Sequence, residues 1–381
     1  MVAGPIPRVG LNDQSDLNTQ RLEDDWYTDR LLRPQRALIA LLEFISVQNQ
    51  LLFLIGPPRS GSTLLNRMLG AHPAIHAPVE PHLLTPLAHL GYYDRVTSAD
   101  YDPIISQLGI RELVEHLPGG ETDYLEALRA YTDGIYSRLL DGSSSNFLLD
   151  KTPAYALVLD FVTRLYPDAR YIVLTRHPLS VWSSIVDSFF DGDHETAHRH
   201  NPVIERYVPA MAQFLRDPPA HVARVSYEDL VTDPEGEMKR LCDFIGIPFE
   251  ADMVDYGKSS QDGPARGLGD PMTVASQSRP TTDSLGKWAQ KMTGSPEKVD
   301  QCRLILAALD DRDLEVWGYD RKAMLKELDA IDVEGKRAKG PKLTRHVVER
   351  RLLVFGRRRV RGRRLGHVVR GIRNLCDLLL R

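Results

Sequence analysis

A loop rich in glycine, proline and hydroxyl side chains separates an apolar run from a segment with helical spacing. It extends from Gly56 to Thr63 with the sequence GPPRSGST. Glycines let a backbone turn tightly and approach a ligand, and the amides at a helix start bind anions with the help of the helix dipole. The loop therefore predicts a phosphate site, the alternative being an ordinary strand-to-helix turn without a ligand.

One charged position distinguishes this loop from those that bind ATP or GTP. Nucleoside triphosphatases follow the pattern GxxxxGK[ST], in which the lysine contacts the β- and γ-phosphates. Ser62 occupies the position of that lysine, and a positive charge comes earlier, at Arg59. Hydrolysis of ATP or GTP is therefore disfavoured, and a small-molecule kinase becomes the weaker hypothesis.

The sequence PRSGSTLL resembles the loop of the sulfotransferases that use 3′-phosphoadenosine-5′-phosphosulfate (PAPS), especially the tyrosylprotein-type branch. The resemblance extends over roughly residues 51–290. It implies transfer of a sulfuryl group from PAPS to a hydroxyl or amine, with no metal. It also implies that the 5′-phosphosulfate lies on the loop, with Arg59 nearest the sulfuryl group. The residues so implied are Arg59, Ser60, Gly61, Ser62, Thr63 and Leu64.

The segment RHPLSVWSS, which follows another apolar run, resembles the family's element for the 3′-phosphate. In that element an arginine and a serine eight residues later bind the phosphate, which implies Arg176 and Ser184. An arginine at the carboxyl end of a strand and a hydroxyl on the next helix can converge on one phosphate. The alternative is that Arg176 pairs with a structural carboxylate.

Two shorter motifs extend the resemblance. Tyr227 in SYEDL matches a tyrosine that contacts adenine in the family, although a half-buried tyrosine beside a helix cap is often only a core residue. Lys287 in LGKW resembles a late basic residue that reaches the nucleotide. Ser278 and Arg279 are neighbours that could share this role.

The resemblance implies a general base at Glu80, in the segment APVEPH, 21 residues after Arg59. Other branches of the family use a histidine, so His82 is the second candidate. In-line sulfuryl transfer needs a group that accepts the proton of the acceptor. If Glu80 is structural instead, we expect it to pair with Arg59.

Lys151, in the segment LDKTP, resembles a family lysine that neutralises the bridging oxygen as the S–O bond breaks, and Thr152 could donate a hydrogen bond there too. The alternative is a structural ion pair between Lys151 and Asp150. Several cations would then face the negative charges of PAPS, namely Arg59, Lys151, Arg176 and Lys287.

The segment His194–His198 (HETAH) satisfies the zinc-protease pattern HExxH. It follows a turn, Asp191 to Asp193, and its surroundings are polar, unlike the buried helix of a metalloprotease. We therefore expect no metal site, and a solvated loop or short helix near the acceptor entrance.

Alternating apolar runs and helical segments must position these residues, and they predict a three-layer α/β fold with a central parallel sheet. Strands are expected at 51–56, Phe147–Asp150, Tyr171–Thr175 and Val222–Ser226. Helices are expected at 63–69, Ala154–Leu165, Leu179–Phe189, Glu235–Ile245 and 298–317. Residues 257–286 are rich in Gly, Ser, Pro and Thr and predict a long loop, of a kind that often serves as a functional lid.

The charge is divided unevenly along the chain. Of the 48 Lys and Arg residues, 16 lie in residues 336–381, against two acidic residues there, although the whole chain has a net charge of −4. The charge distribution predicts a basic tail (331–381). Helical spacing predicts an N-terminal extension (1–47), and the resemblance implies a sulfotransferase domain (48–330). The tail could bind an anionic membrane surface, or dock on the acidic domain or a second subunit, whereas nucleic acid is disfavoured.

Composition and cysteine content exclude several classes of protein. With 42% apolar and 26% charged residues, the chain is neither wholly disordered nor membrane-spanning. The three scattered cysteines and the lack of a visible signal peptide favour the cytoplasm, with a peripheral membrane contact through the tail as an option. The acceptor stays open among the hydroxyls or amines of small molecules, carbohydrates, lipid-like molecules and peptides. A nucleotide-binding protein of the same fold without activity is the remaining alternative.

Overall fold

The structure, a computed structural model, contains a parallel β-sheet, as predicted. It describes residues 47–78, 80–90, 92, 103–190, 192–258 and 277–334. Residues 1–46 and 335–381, which hold most of the predicted N-terminal extension and basic tail, lie outside the described residues. The strands are β1 (Leu51–Ile55), β2 (Ile75–His76), β3 (Phe147–Asp150), β4 (Arg170–Thr175) and β5 (His221–Ser226), and they lie in the order β2-β3-β1-β4-β5.

The central strands are apolar because both of their faces are covered. Every residue of β1 is buried, and successive side chains point to opposite faces. Leu52 and Leu54 join the core on one face, together with Met68 of the following helix. Phe53 lies on the other face and stacks on Tyr171, with ring centroids 5.3 Å apart. One short strand therefore supplies side chains to both layers of core.

Helices cover the sheet and extend beyond its edges. In chain order they are α1 (Ser62–Gly70), α2 (Leu84–Ala88), α3 (Pro103–Glu115), α4 (Glu121–Asp141), α5 (Leu159–Leu165), α6 (Pro178–Phe190), α7 (His194–His200), α8 (Val203–Arg216), α9 (Tyr227–Thr232), α10 (Pro234–Ile245), α11 (Lys287–Met292), α12 (Pro296–Ala307), α13 (Asp311–Trp317) and α14 (Arg321–Asp329). None of these helices is both long and apolar enough to cross a membrane.

Two predicted helices are each interrupted in the structure. The stretch Ala154–Leu165 is a 3₁₀ helix (Pro153–Leu157) followed by α5, because Val158 has non-helical φ and ψ of −134° and 31°. The stretch 298–317 is divided between α12 and α13. There the side chain of Asp310 accepts a hydrogen bond from the amide of Arg312 and so caps a new helix.

The carboxyl ends of the strands lie along one edge of the sheet, because all the strands run in the same direction. The loop 56–61 follows β1, Lys151 follows β3, Arg176 follows β4 and Tyr227 follows β5, while Glu80 comes four residues after β2. After β1 the chain continues to β2 on one side of the sheet, and after β4 it continues to β5 on the opposite side. Ligands bind at such a reversal of strand order in open α/β sheets.

Candidate active site

The predicted phosphate loop ends at the N-terminus of α1. Gly61 precedes the helix with φ of 102°, and Arg59 has φ of 70°, a region that residues other than glycine rarely adopt. The side chain of Ser60 is fully buried, and its Oγ has no hydrogen-bond partner. A strained loop with an unsatisfied hydroxyl at a helix start is typical of an anion site.

A cavity of about 310 Å³ lies at the start of α1. Most of the residues predicted to hold the nucleotide line it, and Ser60 is the one of them that does not. The predicted residues in its wall are Arg59, Gly61, Ser62, Thr63, Leu64, Arg176, Ser184, Tyr227 and Lys287. The structure therefore brings together segments that are up to 228 positions apart in the sequence, from Arg59 to Lys287.

Arg176 is a buried cation with incomplete pairing. Its Nη1 donates to the carbonyl oxygen of Arg59 at 3.1 Å, and its Cζ lies 3.9 Å from the centre of the Tyr227 ring. Its Nε is buried without a hydrogen-bond partner, and burial lowers the pKa of the guanidinium. Glu228, the carboxylate that acts on it electrostatically, accepts instead from the amide of His177 and the hydroxyl of Tyr319. The alternative of a structural pair between Arg176 and a carboxylate is therefore wrong.

The loop and the predicted 3′-phosphate element are in direct contact. Nε of Arg59 donates to Oγ of Ser184 at 3.2 Å. This hydrogen bond connects the loop after β1 to the helix after β4, across the point where the strand order reverses. One ligand with phosphates at both ends of a sugar could therefore contact both elements.

Helix α6 presents a polar face that the sequence predictions missed apart from Ser184. Ser180, Ser183, Asp187 and Ser188 line the cavity with it. Their spacing of three and four residues is that of one helical face, on a helix whose remaining residues are mostly apolar. A search for a polar stripe on an apolar helix would have found this wall, since a buried polar face needs partners.

The late segment also contributes to the wall of the cavity. Lys287, at the start of α11, lines the cavity, and so does Ser284, whose Oγ lies 2.5 Å from the hydroxyl of Tyr227. Ser278 and Arg279 do not line it, and the guanidinium of Arg279 pairs with Asp255 at 2.8 Å. Tyr227 is both a core residue and a wall residue, and its contact with adenine stays a prediction.

Replacing Gly61 tests how closely this wall is packed. A Cβ at Gly61 would lie 2.3 Å from Cδ2 of Tyr227, in addition to the strain of φ 102°. We expect Gly61→Ala to lower the free energy of unfolding by about 2–4 kcal/mol, through left-handed strain and overpacking together. Gly246→Ala is the matched control, because Gly246 has φ of 87° with no atom within 4 Å of an added Cβ.

The measurement for both variants is chemical denaturation. The control should lose only about 1–2 kcal/mol, the contribution of left-handed strain alone. Equal losses in the two variants would mean that the Tyr227 ring yields to the methyl group, and that the wall is not rigid.

The predicted base and its neighbours form a second cluster. The Glu80 carboxylate pairs with Nζ of Lys151 through Oε1, and its Oε2 lies 3.2 Å from Nε2 of His82. The side chains of Lys151 and Glu80 are 3% and 11% exposed, whereas that of His82 is 39% exposed. The structural partner of Glu80 is thus Lys151, and not Arg59 as the sequence suggested. None of the three residues lines the cavity, and their catalytic roles stay predictions.

Asp150 lies beneath this cluster and is fully buried. Its carboxylate accepts hydrogen bonds from the hydroxyls of Tyr136 (2.7 Å), Tyr155 (3.0 Å) and Thr152 (3.0 Å). Burial raises the pKa of Asp150 to about 6, although these three hydrogen bonds favour its ionised form. The predicted alternative, an ion pair between Lys151 and Asp150, is therefore wrong.

The HETAH segment forms the short helix α7. The prediction that this segment is exposed to solvent is only partly correct. His194 is buried, its Nδ1 accepts from Nε1 of Trp182 at 3.1 Å, and burial lowers its pKa to about 4. His198 lies 2.5 Å from Glu205 of α8. Among the described residues no group of His, Cys, Asp and Glu side chains is arranged to hold a metal ion.

Comparison with known proteins identifies similar chains. Residues 52–251 match the profile described as the sulfotransferase family. Nodulation protein NoeE of Sinorhizobium fredii is 34% identical over 179 residues, which are 47% of this chain and 40% of that protein. Protein-tyrosine sulfotransferase 1 of Danio rerio is 26% identical over 209 residues, 52% of this chain and 54% of that protein. The chain thus spans about half the length of these relatives.

Comparison with solved structures finds sulfotransferases as well. The sulfotransferase domain from the curacin biosynthetic pathway is 26% identical, with a TM-score of 0.44, over 67% of this chain and 95% of that domain. Mouse sulfotransferase SULT7A1 complexed with PAP is 15% identical, with a TM-score of 0.39, over 76% of this chain and 93% of that protein.

Proposed function

The chain belongs to the sulfotransferase family, and we propose from this premise that it transfers the sulfuryl group of PAPS to an acceptor hydroxyl or amine. The observation that carries the donor assignment is Arg176, which lines the cavity with a buried Nε that has no partner. A phosphate oxygen is the acceptor that such a guanidinium lacks. Ser184, bonded to Arg59, stands in the same wall and would complete a 3′-phosphate site.

The charge of the cavity supports an anionic ligand. Two arginines and two lysines line it, against two aspartates, so that the wall carries a net positive charge. One of the lysines, Lys291, pairs with Asp187. The other cations of the wall are Arg59, Arg176 and Lys287. An ATP-binding site of the P-loop type would instead place a lysine at position 62, where the chain has serine.

When bound, PAPS supplies the sulfuryl group, whose S–O bond to phosphate breaks while the acceptor oxygen forms a new bond to sulfur. Arg59 and the first amides of α1 would hold the 5′-phosphosulfate, and Arg176 with Ser184 the 3′-phosphate. Glu80 accepts the proton of the acceptor, and Lys151 holds its Oε1 in an ion pair. Lys151 also supplies positive charge for the phosphate oxygen that becomes negative.

Calorimetric titration with adenosine 3′,5′-bisphosphate tests the donor site. We expect binding in about the micromolar range, and binding of 5′-AMP that is at least about tenfold weaker, because the 3′-phosphate forms charge-assisted hydrogen bonds. ATP is the control for the kinase hypothesis. A preference for ATP, or no dependence on the 3′-phosphate, would contradict the proposal.

The proposed acceptor is a hydroxyl or amine on a small molecule, a carbohydrate, a lipid-like molecule or a peptide. The relative from Danio rerio is named for transfer to protein tyrosine, which makes a tyrosyl peptide one of the probes. An oligosaccharide and a long-chain alcohol represent the other classes. Release of adenosine 3′,5′-bisphosphate from PAPS with each probe separates an active transferase from an inactive binding protein.

A further inference from the structure

We propose that Asp150 is a positioning residue, which holds the loop of the candidate base in place through two hydroxyl relays, one through Thr152 and one through Tyr155. The proposal rests on the proposed function, because it concerns the loop that carries Glu80. It changes the role of Thr152, which the sequence resemblance suggested as a hydrogen-bond donor to the departing oxygen.

The first relay leads from Asp150 to the backbone of His82. Oγ1 of Thr152 donates to Oδ1 of Asp150 at 3.0 Å and accepts from the amide of His82 at 3.2 Å. Asp150 and Thr152 are both fully buried. A hydroxyl has one proton to donate, and Thr152 donates its proton in the hydrogen bond to Asp150. Thr152 therefore has no proton left for a bound ligand, and it acts on the loop instead.

The second relay leads from the other carboxylate oxygen to the backbone of Leu84. The hydroxyl of Tyr155 donates to Oδ2 of Asp150 at 3.0 Å and accepts from the amide of Leu84 at 3.0 Å. The two relays thus start on different oxygens of one carboxylate and end on amides two residues apart. Together they hold the segment that begins at Glu80 and enters α2.

The backbone of this segment needs such support. His82 has φ of 53°, in the left-handed region that residues other than glycine rarely adopt. Strained residues persist only where the surrounding contacts determine their conformation, and they concentrate at functional sites. The side chain of His82 lies 3.2 Å from Oε2 of Glu80, and Lys151 holds Oε1. Fixing the backbone at His82 therefore fixes the position of the base relative to the lysine.

The test compares variants that remove one hydroxyl each. Thr152→Val breaks the first relay, Thr152→Ser retains it, and Tyr155→Phe breaks the second. Tyr136→Phe is the matched control, because the hydroxyl of Tyr136 donates to Asp150 at 2.7 Å but belongs to neither relay. Hydrogen exchange of the amides of His82 and Leu84 is followed in each full-length variant without ligand, by NMR or by mass spectrometry of overlapping peptides.

We expect exchange at His82 to be at least about tenfold faster in Thr152→Val, with Leu84 affected instead in Tyr155→Phe. Turnover with PAPS and the probe acceptors should fall about 10- to 100-fold in Thr152→Val, as for a misplaced catalytic group. The affinity for adenosine 3′,5′-bisphosphate should be unchanged. Thr152→Ser should have the wild-type exchange rate at His82 and the wild-type turnover, and Tyr136→Phe should alter neither quantity.

Several results would overturn the proposal. Unchanged exchange at His82 in Thr152→Val would show that the relay does not hold the loop. Faster exchange with unchanged turnover would show that the loop position is irrelevant to the reaction, and equal losses in Tyr136→Phe and Thr152→Val would indicate a merely structural carboxylate. If the wild-type protein does not bind adenosine 3′,5′-bisphosphate, the proposed function fails, while the exchange data still decide whether the relays hold the loop.

Discussion

Glu80→Gln is expected to lower the turnover of sulfuryl transfer by about 10²- to 10⁴-fold, the usual contribution of a general base. Glutamine keeps the shape of the side chain but cannot accept a proton. Glu80 does not line the cavity, so the affinity for adenosine 3′,5′-bisphosphate should stay within about threefold of the wild-type value. The measurement is the rate of product release from PAPS with the probe acceptors, beside calorimetric titration of the same preparation.

Glu205→Gln is the matched control for this prediction. Glu205 is also a largely buried carboxylate next to a histidine, 2.5 Å from His198 and 17% exposed, but it lies on α8 and lines no part of the cavity. It should retain the turnover of the wild type. Full turnover in Glu80→Gln would exclude Glu80 as the base, and a larger loss in His82→Gln than in Glu80→Gln would transfer the role to His82.

Arg176→Lys is expected to weaken binding of adenosine 3′,5′-bisphosphate by about 10- to 150-fold, the range for losing a hydrogen bond between charged groups. Lysine keeps the positive charge but lacks the planar fork of donors that a phosphate accepts. The affinity for 5′-AMP should change little, because it has no 3′-phosphate. Calorimetric titration with both nucleotides measures the difference.

Arg170→Lys is the control, at the first residue of the strand that Arg176 follows. Arg170 donates to a backbone carbonyl, that of Asn49, at 3.0 Å and lies 5.7 Å from the centre of an aromatic ring, that of Phe147. It therefore has the same kinds of contact as Arg176 but lies at the opposite end of β4. Only Arg176→Lys should lose affinity. Equal effects on the two nucleotides in Arg176→Lys would place the 3′-phosphate elsewhere.

The cavity and the cluster around Glu80 differ in how far the sequence alone predicts them. The cavity is built from contiguous motifs, three of which come directly after β1, β4 and β5, and local patterns identify such segments well. The base cluster depends on Glu80 and Lys151, 71 residues apart, whose pairing no local pattern encodes. The sequence resemblance named both residues. The structural alternatives to their catalytic roles were pairs with Arg59 and Asp150, and the structure shows instead that Glu80 and Lys151 pair with each other.

The strands were predictable because a parallel sheet covered on both faces requires short apolar runs. Tyr171–Thr175 and Phe147–Asp150 were therefore found to within a residue. The loop at Gly61 was predictable for a similar reason, since glycine tolerates the left-handed turn that precedes α1. The interruption at Val158 was not, because apolar spacing alone does not distinguish a continuous helix from a 3₁₀ turn followed by a helix.

The amino-acid sequence by itself thus determined the strands of the sheet, the phosphate loop and the residues able to bind an anion, because these features depend on residues that are near neighbours in the chain. Only the tertiary structure decided which polar groups meet. In the folded chain the carboxylate of Asp150 accepts hydrogen bonds from Thr152 and Tyr155. His194 is buried against Trp182, and the serines of α6 line the cavity. Hydrogen bonds need distances of about 3 Å, and the packing of distant segments sets those distances.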